Sequence, residues 1–169
     1  HEVAAGYFAE QLASPAGTRH REYLQRDRGL TADTVAALKL GWAPPSRDGL
    51  HSRLRAQGFP EGLIRQSGLV TVRDDGSVVD RFRNRLMVPI ARDSGSIVAF
   101  GGRALEPDQV PKYLNSPETP IYTKSRTLYG LNLTKSELRK SGFAIVVEGY
   151  FDFAQLFQAG GLPVVATCG

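Results

Sequence analysis

The stretch Phe143-Ala144-Ile145-Val146-Val147, followed at once by Glu148-Gly149, constrains the fold more than any other part of the sequence. Five apolar residues in a row predict a strand buried on both faces, of the kind found in the middle of a parallel sheet. Residues 152–158 then carry Phe153, Leu156 and Phe157 on one helical stripe. Gly160-Gly161 ends that helix, and Leu162 to Ala166 forms a second apolar run. The unit is strand-helix-strand, and Glu148 sits at the carboxyl edge of its first strand, where open α/β sheets bind ligands. An acid in that position suits a hard cation, although a solvated strand-end acid reads equally well. Asp152 follows four residues later, so it serves either as a helix cap or as a second carboxylate on the same site.

The 169 residues are 41% hydrophobic, enough to bury a core as one domain or as one domain plus part of another. One strand-helix-strand unit leaves a parallel sheet unfinished, and the chain lacks a starting methionine. It is therefore expected to be a piece of a longer protein. No apolar run approaches the length of a membrane span, so no membrane contact and a cytoplasmic location are expected. The lone Cys168 excludes an internal disulfide and reads as a small buried residue.

Charge is unevenly placed. Between Arg81 and Arg126 there are eight bases against four acids, an excess equal to the net charge of +4 carried by the whole chain. Such a block attracts polyanions, most commonly phosphate backbones.

Before residue 68 the spacing predicts short helices with glycine stops: 2–12, one opening at Ser14-Pro15 and closing at Gly29, one capped by Thr31, one bearing Leu50 and Leu54, and one begun by Pro60. From Leu69 the period changes to two. Residues 69–79 read as a hairpin about Asp75-Gly76, and 86–90 with 97–100 as a second pair about Asp93-Ser94-Gly95. A mostly antiparallel sheet is expected over 69–100, with Pro89 at an edge or bulge. Thr134 and Glu137 stand at capping-box spacing before the helix that leads to Gly142.

Three motifs in the sheet region bear on chemistry. On an extended chain Arg81, Arg83 and Arg85 would point the same way as a phosphate-binding ladder. Phe100-Gly101-Gly102-Arg103 reads as a strand end where glycines admit close approach and the arginine clamps a phosphate, or as an ordinary turn. The irregular segment Pro111 to Glu118 offers Lys112, Tyr113 and Asn115 within four residues, a set suited to the phosphate, base and sugar of a nucleotide. No Walker loop or dinucleotide fingerprint is present.

Taken together, Arg28-Gly29-Leu30, Leu40-Gly41-Trp42-Ala43-Pro44-Pro45, Asp80 to Arg85, Phe100 to Arg103, Pro111 to Glu118, Leu128-Tyr129-Gly130 and Val147 to Asp152 resemble, in family order, the bacterial replicative primases of the DnaG type. The resemblance implies an α+β fold: an N-terminal basic subdomain over residues 1–141 with small helices and a mostly antiparallel sheet, then the first strand-helix-strand of a truncated, Rossmann-like Toprim subdomain over 142–169. It implies that Glu148 and Asp152 are catalytic, and that Glu148 binds Mg²⁺ or Mn²⁺ with two further acidic clusters beyond residue 169. Arg28, Arg81, Arg83, Arg103, Lys112, Tyr113, Asn115 and Lys124 would line the cleft for nucleotide and template.

The implied activity is metal-dependent nucleotidyl transfer, making short RNA primers on single-stranded DNA from ribonucleoside triphosphates. An RNA–DNA hybrid is implied as product, a replicative helicase as partner through a separate C-terminal domain, and zinc only in a separate upstream domain. Without the further acidic clusters, this piece is expected to be inactive or nearly so. The alternatives are another Toprim enzyme, nuclease or topoisomerase-like, and a non-catalytic single-stranded nucleic-acid-binding module.

Overall fold

The computed structural model describes residues 1–168. The glycine-stopped helices form as the spacing predicts. Helix α1 (Glu2–Ala13) buries Ala4, Ala5, Phe8 and Leu12. A 3₁₀ turn at Pro15–Gly17, α2 (Thr18–Glu22) and a π-helical turn at Tyr23–Asp27 follow as one continuous rod. The hydroxyl of Thr31 accepts from the Thr34 amide and caps α3 (Ala32–Ala37). Helices α4 (Gly49–Ala56) and α5 (Glu61–Gln66) complete the set.

The sheet region divides in two. Strands β2 (Val70–Val72) and β3 (Val78–Asp80) pair only with each other. Strands β4 (Arg85–Ala91) and β5 (Ile97–Ala104) lie inside a four-stranded antiparallel sheet, flanked by β1 (Gly41–Ala43) and β6 (Tyr113–Asn115) in the order β1-β4-β5-β6. The single sheet expected over 69–100 is thus two sheets, and the segment expected to be irregular contributes a strand. Gly101 pairs with Asn115 and Arg103 with Tyr113. Pro89 is tolerated because β1 covers β4 only as far as Met87, and a register shift follows at Ile90/Ala91.

Strand β4 is buried along its first six residues, and its alternation feeds two cores. Met87 joins Phe8, Leu50, Ile64 and Phe100 on one face. Leu86, Val88 and Ile90 join Leu12, Leu24 and Trp42 on the other, together with Phe151, Phe153 and Val164 from the end of the chain. One continuous core therefore runs from the first helices to the strand-helix-strand unit.

That unit consists of β8 (Ile145–Val147), α7 (Tyr150–Ala159) and β9 (Val164–Thr167), with β8 and β9 parallel. Strand β7 (Leu128–Tyr129) adds to it antiparallel, in the order β7-β9-β8. Among the described residues β8 is an edge strand, not a middle one. Phe143 lies outside it and is 61% exposed, and Val146 is 60% exposed, so the expectation of burial on both faces is corrected. The capping box fails as well. Helix α6 (Leu131–Ser141) starts from Gly130 in the left-handed region at φ 79°. Thr134 is buried in its first turn, donating to the carbonyls of Gly130 and Val164. No helix among the described residues is long and apolar enough to cross a membrane.

Two features of this packing have measurable consequences. A Cβ at Gly130 would stand 2.1 Å from the Phe153 ring, in a backbone conformation that side chains resist. Gly130→Ala is expected to lower unfolding free energy by about 2–4 kcal/mol, read by urea denaturation. His20 is 6% exposed and stacks on Trp42 at 4.7 Å, and its Nδ1 and the Trp42 Nε1 have no partner among the described residues. Burial, with Arg19 adding to it, pulls the imidazole from 6.5 down to about 4. The unfolded chain therefore takes up the proton first, and stability present above pH 6.5 is lost as the pH falls towards 4. The loss should reach about 1–3 kcal/mol, and denaturation at pH 7, 5.5 and 4.5 should show it flattened in His20→Phe.

Candidate nucleic-acid interface

The expected arginine ladder does not form. The backbone leaves the extended region between β3 and β4, with Asn84 at φ 50°, so the alternation of Arg81, Arg83 and Arg85 is broken. Arg85 is 3% exposed and ties β5 to the residue before β6 by donating to the carbonyls of Gly102 and Lys112. Arg83 donates to the Asp80 carbonyl. Arg81 is half-buried and donates to the carbonyl of Asn115 at 2.9 Å.

Asn115 is a crossing point. Its Nδ2 donates to the Cys168 carbonyl at 2.7 Å, while its Oδ1 accepts from the Tyr150 hydroxyl at 3.0 Å. The side chain expected to read a base is therefore committed to joining β6, the end of β9 and the first residue of α7. Burial, with Cys168 beside it, raises the pKa of Tyr150, which stays a protonated donor. Burial likewise raises the Cys168 thiol, which donates to the Thr127 carbonyl. The glycine pair also has another purpose than expected. Strand β5 continues through it to Ala104, and a Cβ at Gly101 would meet the Tyr150 ring at 2.5 Å. The close approach is that of Tyr150.

A second cluster gathers on Phe151. The guanidinium carbon of Arg28 lies 4.8 Å from that ring and 5.4 Å from Tyr23, whose hydroxyl accepts from Arg28 Nε at 2.7 Å. Arg103 lies 5.2 Å from Tyr113, 5.4 Å from Tyr23 and 5.6 Å from Phe151, and donates to the Tyr113 hydroxyl. Two guanidiniums thus share aromatic faces, a geometry that holds them in place without cancelling their charge. A cavity of about 600 Å³ opens beside them, lined by Arg103, Lys112, Tyr23, Arg19, Arg26 and Gln109 among others. Arg103 Nε is buried there with no partner among the described residues, and so is Gln109 Oε1.

Lys124 stands apart from this cavity. Its backbone amide donates to Glu118, and it lines a separate space of about 430 Å³ with Thr127, Thr167 and Cys168. Glu148 and Asp152 are exposed on either side of the α7 start. A Cβ at Gly149 would fall 2.6 Å from Asp152 Oδ2, so glycine is what lets that carboxylate lie against the backbone next to Glu148.

Among the described residues the ion pairs fall on Arg19, Arg26, Lys39, His51, Arg53, Arg65 and Lys140, and those of Arg19 with Glu106 and Arg26 with Glu22 stand in the wall of the same cavity. Among the described residues, neither acid and none of the candidate cations forms one. The structure therefore puts Arg103 and Lys112 on one cavity wall, Arg28 and Arg103 on the Phe151 ring in the first turn of α7, Tyr113 against Arg103, and Arg81 with Asn115 about Tyr150. Arg83 and Lys124 sit outside both. Tyr23, Tyr150 and Phe151 were missed as site residues. Tyr150 and Phe151 lay between the two carboxylates in sequence, whereas Tyr23 carried no signal beyond a helical stripe.

A family profile described as DNA primase catalytic core, N-terminal domain, matches residues 7–135. A DNA primase from Synechocystis is 42% identical over 169 residues, which is 99% of this chain and 26% of that protein. The RNA polymerase domain of Mycobacterium tuberculosis primase DnaG, solved with a double-stranded DNA oligomer bearing a 6-nucleotide overhang, superposes with TM-score 0.93 at 36% identity, over 99% of this chain and 52% of that one. A DnaG primase catalytic domain bound to single-stranded DNA superposes at TM-score 0.83 and 37% identity, over 98% and 53%. The chain thus spans about a quarter of the curated relative and half of each solved domain. With most of its length matched by one profile and the same α+β architecture in the solved cores, the chain belongs to the DNA primase family and is a piece of its catalytic core.

Proposed function

We propose that this chain supplies the nucleotide- and template-gripping wall, and the first carboxylates, of a polymerase that makes RNA primers on single-stranded DNA. The observation that carries this reading is the pattern of unpaired charge. Arg28 and Arg103 are held by aromatic faces and Arg81 by a carbonyl, all converging on the helix start that Glu148 and Asp152 flank. Cations fixed by neutral partners keep their charge for a ligand, and a triphosphate or a template backbone is the ligand such a wall fits. The DNA carried by two of the solved relatives is consistent with that ligand class.

Glu148 and Asp152 offer hard oxygen donors, and the glycine between them leaves room for the Asp152 carboxylate. They fit one side of a Mg²⁺ or Mn²⁺ site. Among the described residues no group of three or more potential metal ligands occurs, so in this reading the longer protein supplies the remainder. Such a metal, when bound, neutralises charge developing on the α-phosphate during attack by a 3′-hydroxyl. The residues of this chain orient the triphosphate: Lys112 and Arg103 from the cavity wall, Arg28 from beside Phe151, and Tyr113 as an exposed stacking face for base or sugar. Asn115 acts by holding Arg81 and Tyr150. Arg83 and Lys124 would act further along the template. Zinc and helicase contacts belong, in this reading, to other parts of the longer protein.

We place the start of the Toprim-type part earlier than residue 142. Pairing of β7 with β9, and the bond from Thr134 to Val164, support a boundary near residue 127.

Two experiments test the reading. In a full-length primase carrying this chain, Glu148→Gln should lower primer synthesis at least about a hundredfold, while affinity for single-stranded template stays within about twofold. Equal loss of both, or of neither, in gel-based synthesis and fluorescence-anisotropy binding overturns it. The chain alone should bind single-stranded DNA in a salt-dependent way without making primers. Neutralising Arg103 and Lys112 together should reduce the log–log salt slope by about 1.4, roughly 0.7 for each phosphate left without its cation.

A further inference from the structure

We infer that Gln155 and Gln158 of α7 are positioning residues for Arg28, clasping the loop that carries it; this rests on the nucleotide-gripping role proposed for Arg28. The rod of helices ending at Asp27 leaves carbonyls without intrahelical partners, as every helix end does. The carbonyl of its C-cap, Arg28, and that of Gly29 just beyond are taken by side chains from the far end of the sequence. Gln155 Nε2 donates to the Arg28 carbonyl and Gln158 Nε2 to that of Gly29 at 3.0 Å. Gln158 Oε1 then accepts from the Thr31 amide at 2.7 Å, at the cap of α3. One planar amide therefore pairs with residues 29 and 31 as a neighbouring strand would, donating and accepting at once. Among side chains only Gln and Asn carry a donor and an acceptor side by side on one amide, and the span here uses the longer of the two.

The consequence lies on the other side of the loop. Arg28 reaches Phe151 on the same helix, one turn before Gln155, and Tyr23 behind it. Stacking and the bond to the Tyr23 hydroxyl fix the guanidinium against its neighbours but leave the backbone of its loop free to shift. The clasp removes that freedom by tying the backbone of residues 28–31 to α7, whose first turn carries Asp152. Arg28 is thereby held at a set distance from the acidic end of the helix, and the link crosses from the first helices to the strand-helix-strand unit.

Gln158→Glu keeps size and acceptor but replaces the donor facing the Gly29 carbonyl with an oxygen. Gln155→Ala removes the other half. Gln155 is exposed and Gln158 half-buried at the edge of α7, so folding should persist, as a melting temperature within a few degrees would show. In a full-length primase carrying this chain, each variant should raise KM for the incoming ribonucleotide about three- to tenfold with kcat within about twofold, and speed amide exchange at residues 28–31. Gln158→Asn, too short to reach, should behave like Gln158→Glu. Faster exchange with unchanged KM overturns the positioning role while leaving the primase reading intact. Unchanged KM in Arg28→Ala overturns it too, and alone also removes Arg28 from the proposed site.

Discussion

Everything in the site depends on one packing contact, the Tyr150 ring lying on the bare backbone of Gly101. A side chain on that strand would occupy the ring's position, so glycine there is a condition for α7 to dock at all. Docking brings Tyr150 into edge contact with Tyr129 at 5.0 Å, and Tyr129 meets Phe153 at 4.9 Å. Burial of these aromatics supplies the larger stabilisation, roughly 1.5–3 kcal/mol for each side chain. The hydrogen bond from Tyr150 to Asn115 adds about 1 kcal/mol. Apolar burial is non-directional, however, and would tolerate a range of helix positions. The hydrogen bonds select one of them, because the Asn115 amide must face Tyr150 and the Cys168 carbonyl together. Packing decides that α7 docks, and polar contacts decide where.

Much of this could be read from the residues. The glycine stops, the Thr31 cap and the two tight hairpins all follow from signals confined to a few neighbouring positions. The failures share a cause, since each depended on something distant in sequence. Residues 113–115 become a strand only because Gly101 to Arg103 offer an edge. Thr134 leaves its capping role because Val164 offers it a carbonyl across the core. The arginine ladder assumed an extended backbone that Asn84 breaks, and no local rule demanded that break. Val146 is exposed for a related reason, because apolar composition reports a wish for burial without stating what covers the strand.

The candidate site was legible in identity more than in role. Arg28 and Arg103 stand on the Phe151 ring beside Glu148 and Asp152 in the sequence, while Lys112 and Tyr113 reach that region only through Arg103. Asn115 and Arg85 are recruited to hold the frame instead. Residue type explains the exchange. A buried amide must satisfy both its donor and its acceptor, and a buried guanidinium must satisfy a fork of donors, so each is drawn to backbone carbonyls wherever a sheet supplies them.

The separation of charge within the site follows from the same logic. Had Glu148 or Asp152 been within reach of Arg28 or Arg103, the pairs would have formed, and each would have weakened the other's hold on a ligand. The fold prevents this by placing aromatic rings around the cations and leaving the acids exposed at the helix start. Phe151 is the divider: it stands one residue before Asp152, yet its ring faces both guanidiniums. An aromatic face attracts a cation without accepting its charge, so Arg28 and Arg103 stay unpaired while Glu148 and Asp152 stay exposed at the helix start. In the proposed reading a phosphate chain with its divalent metal would draw on both, the cations holding its anionic oxygens and the carboxylates the metal.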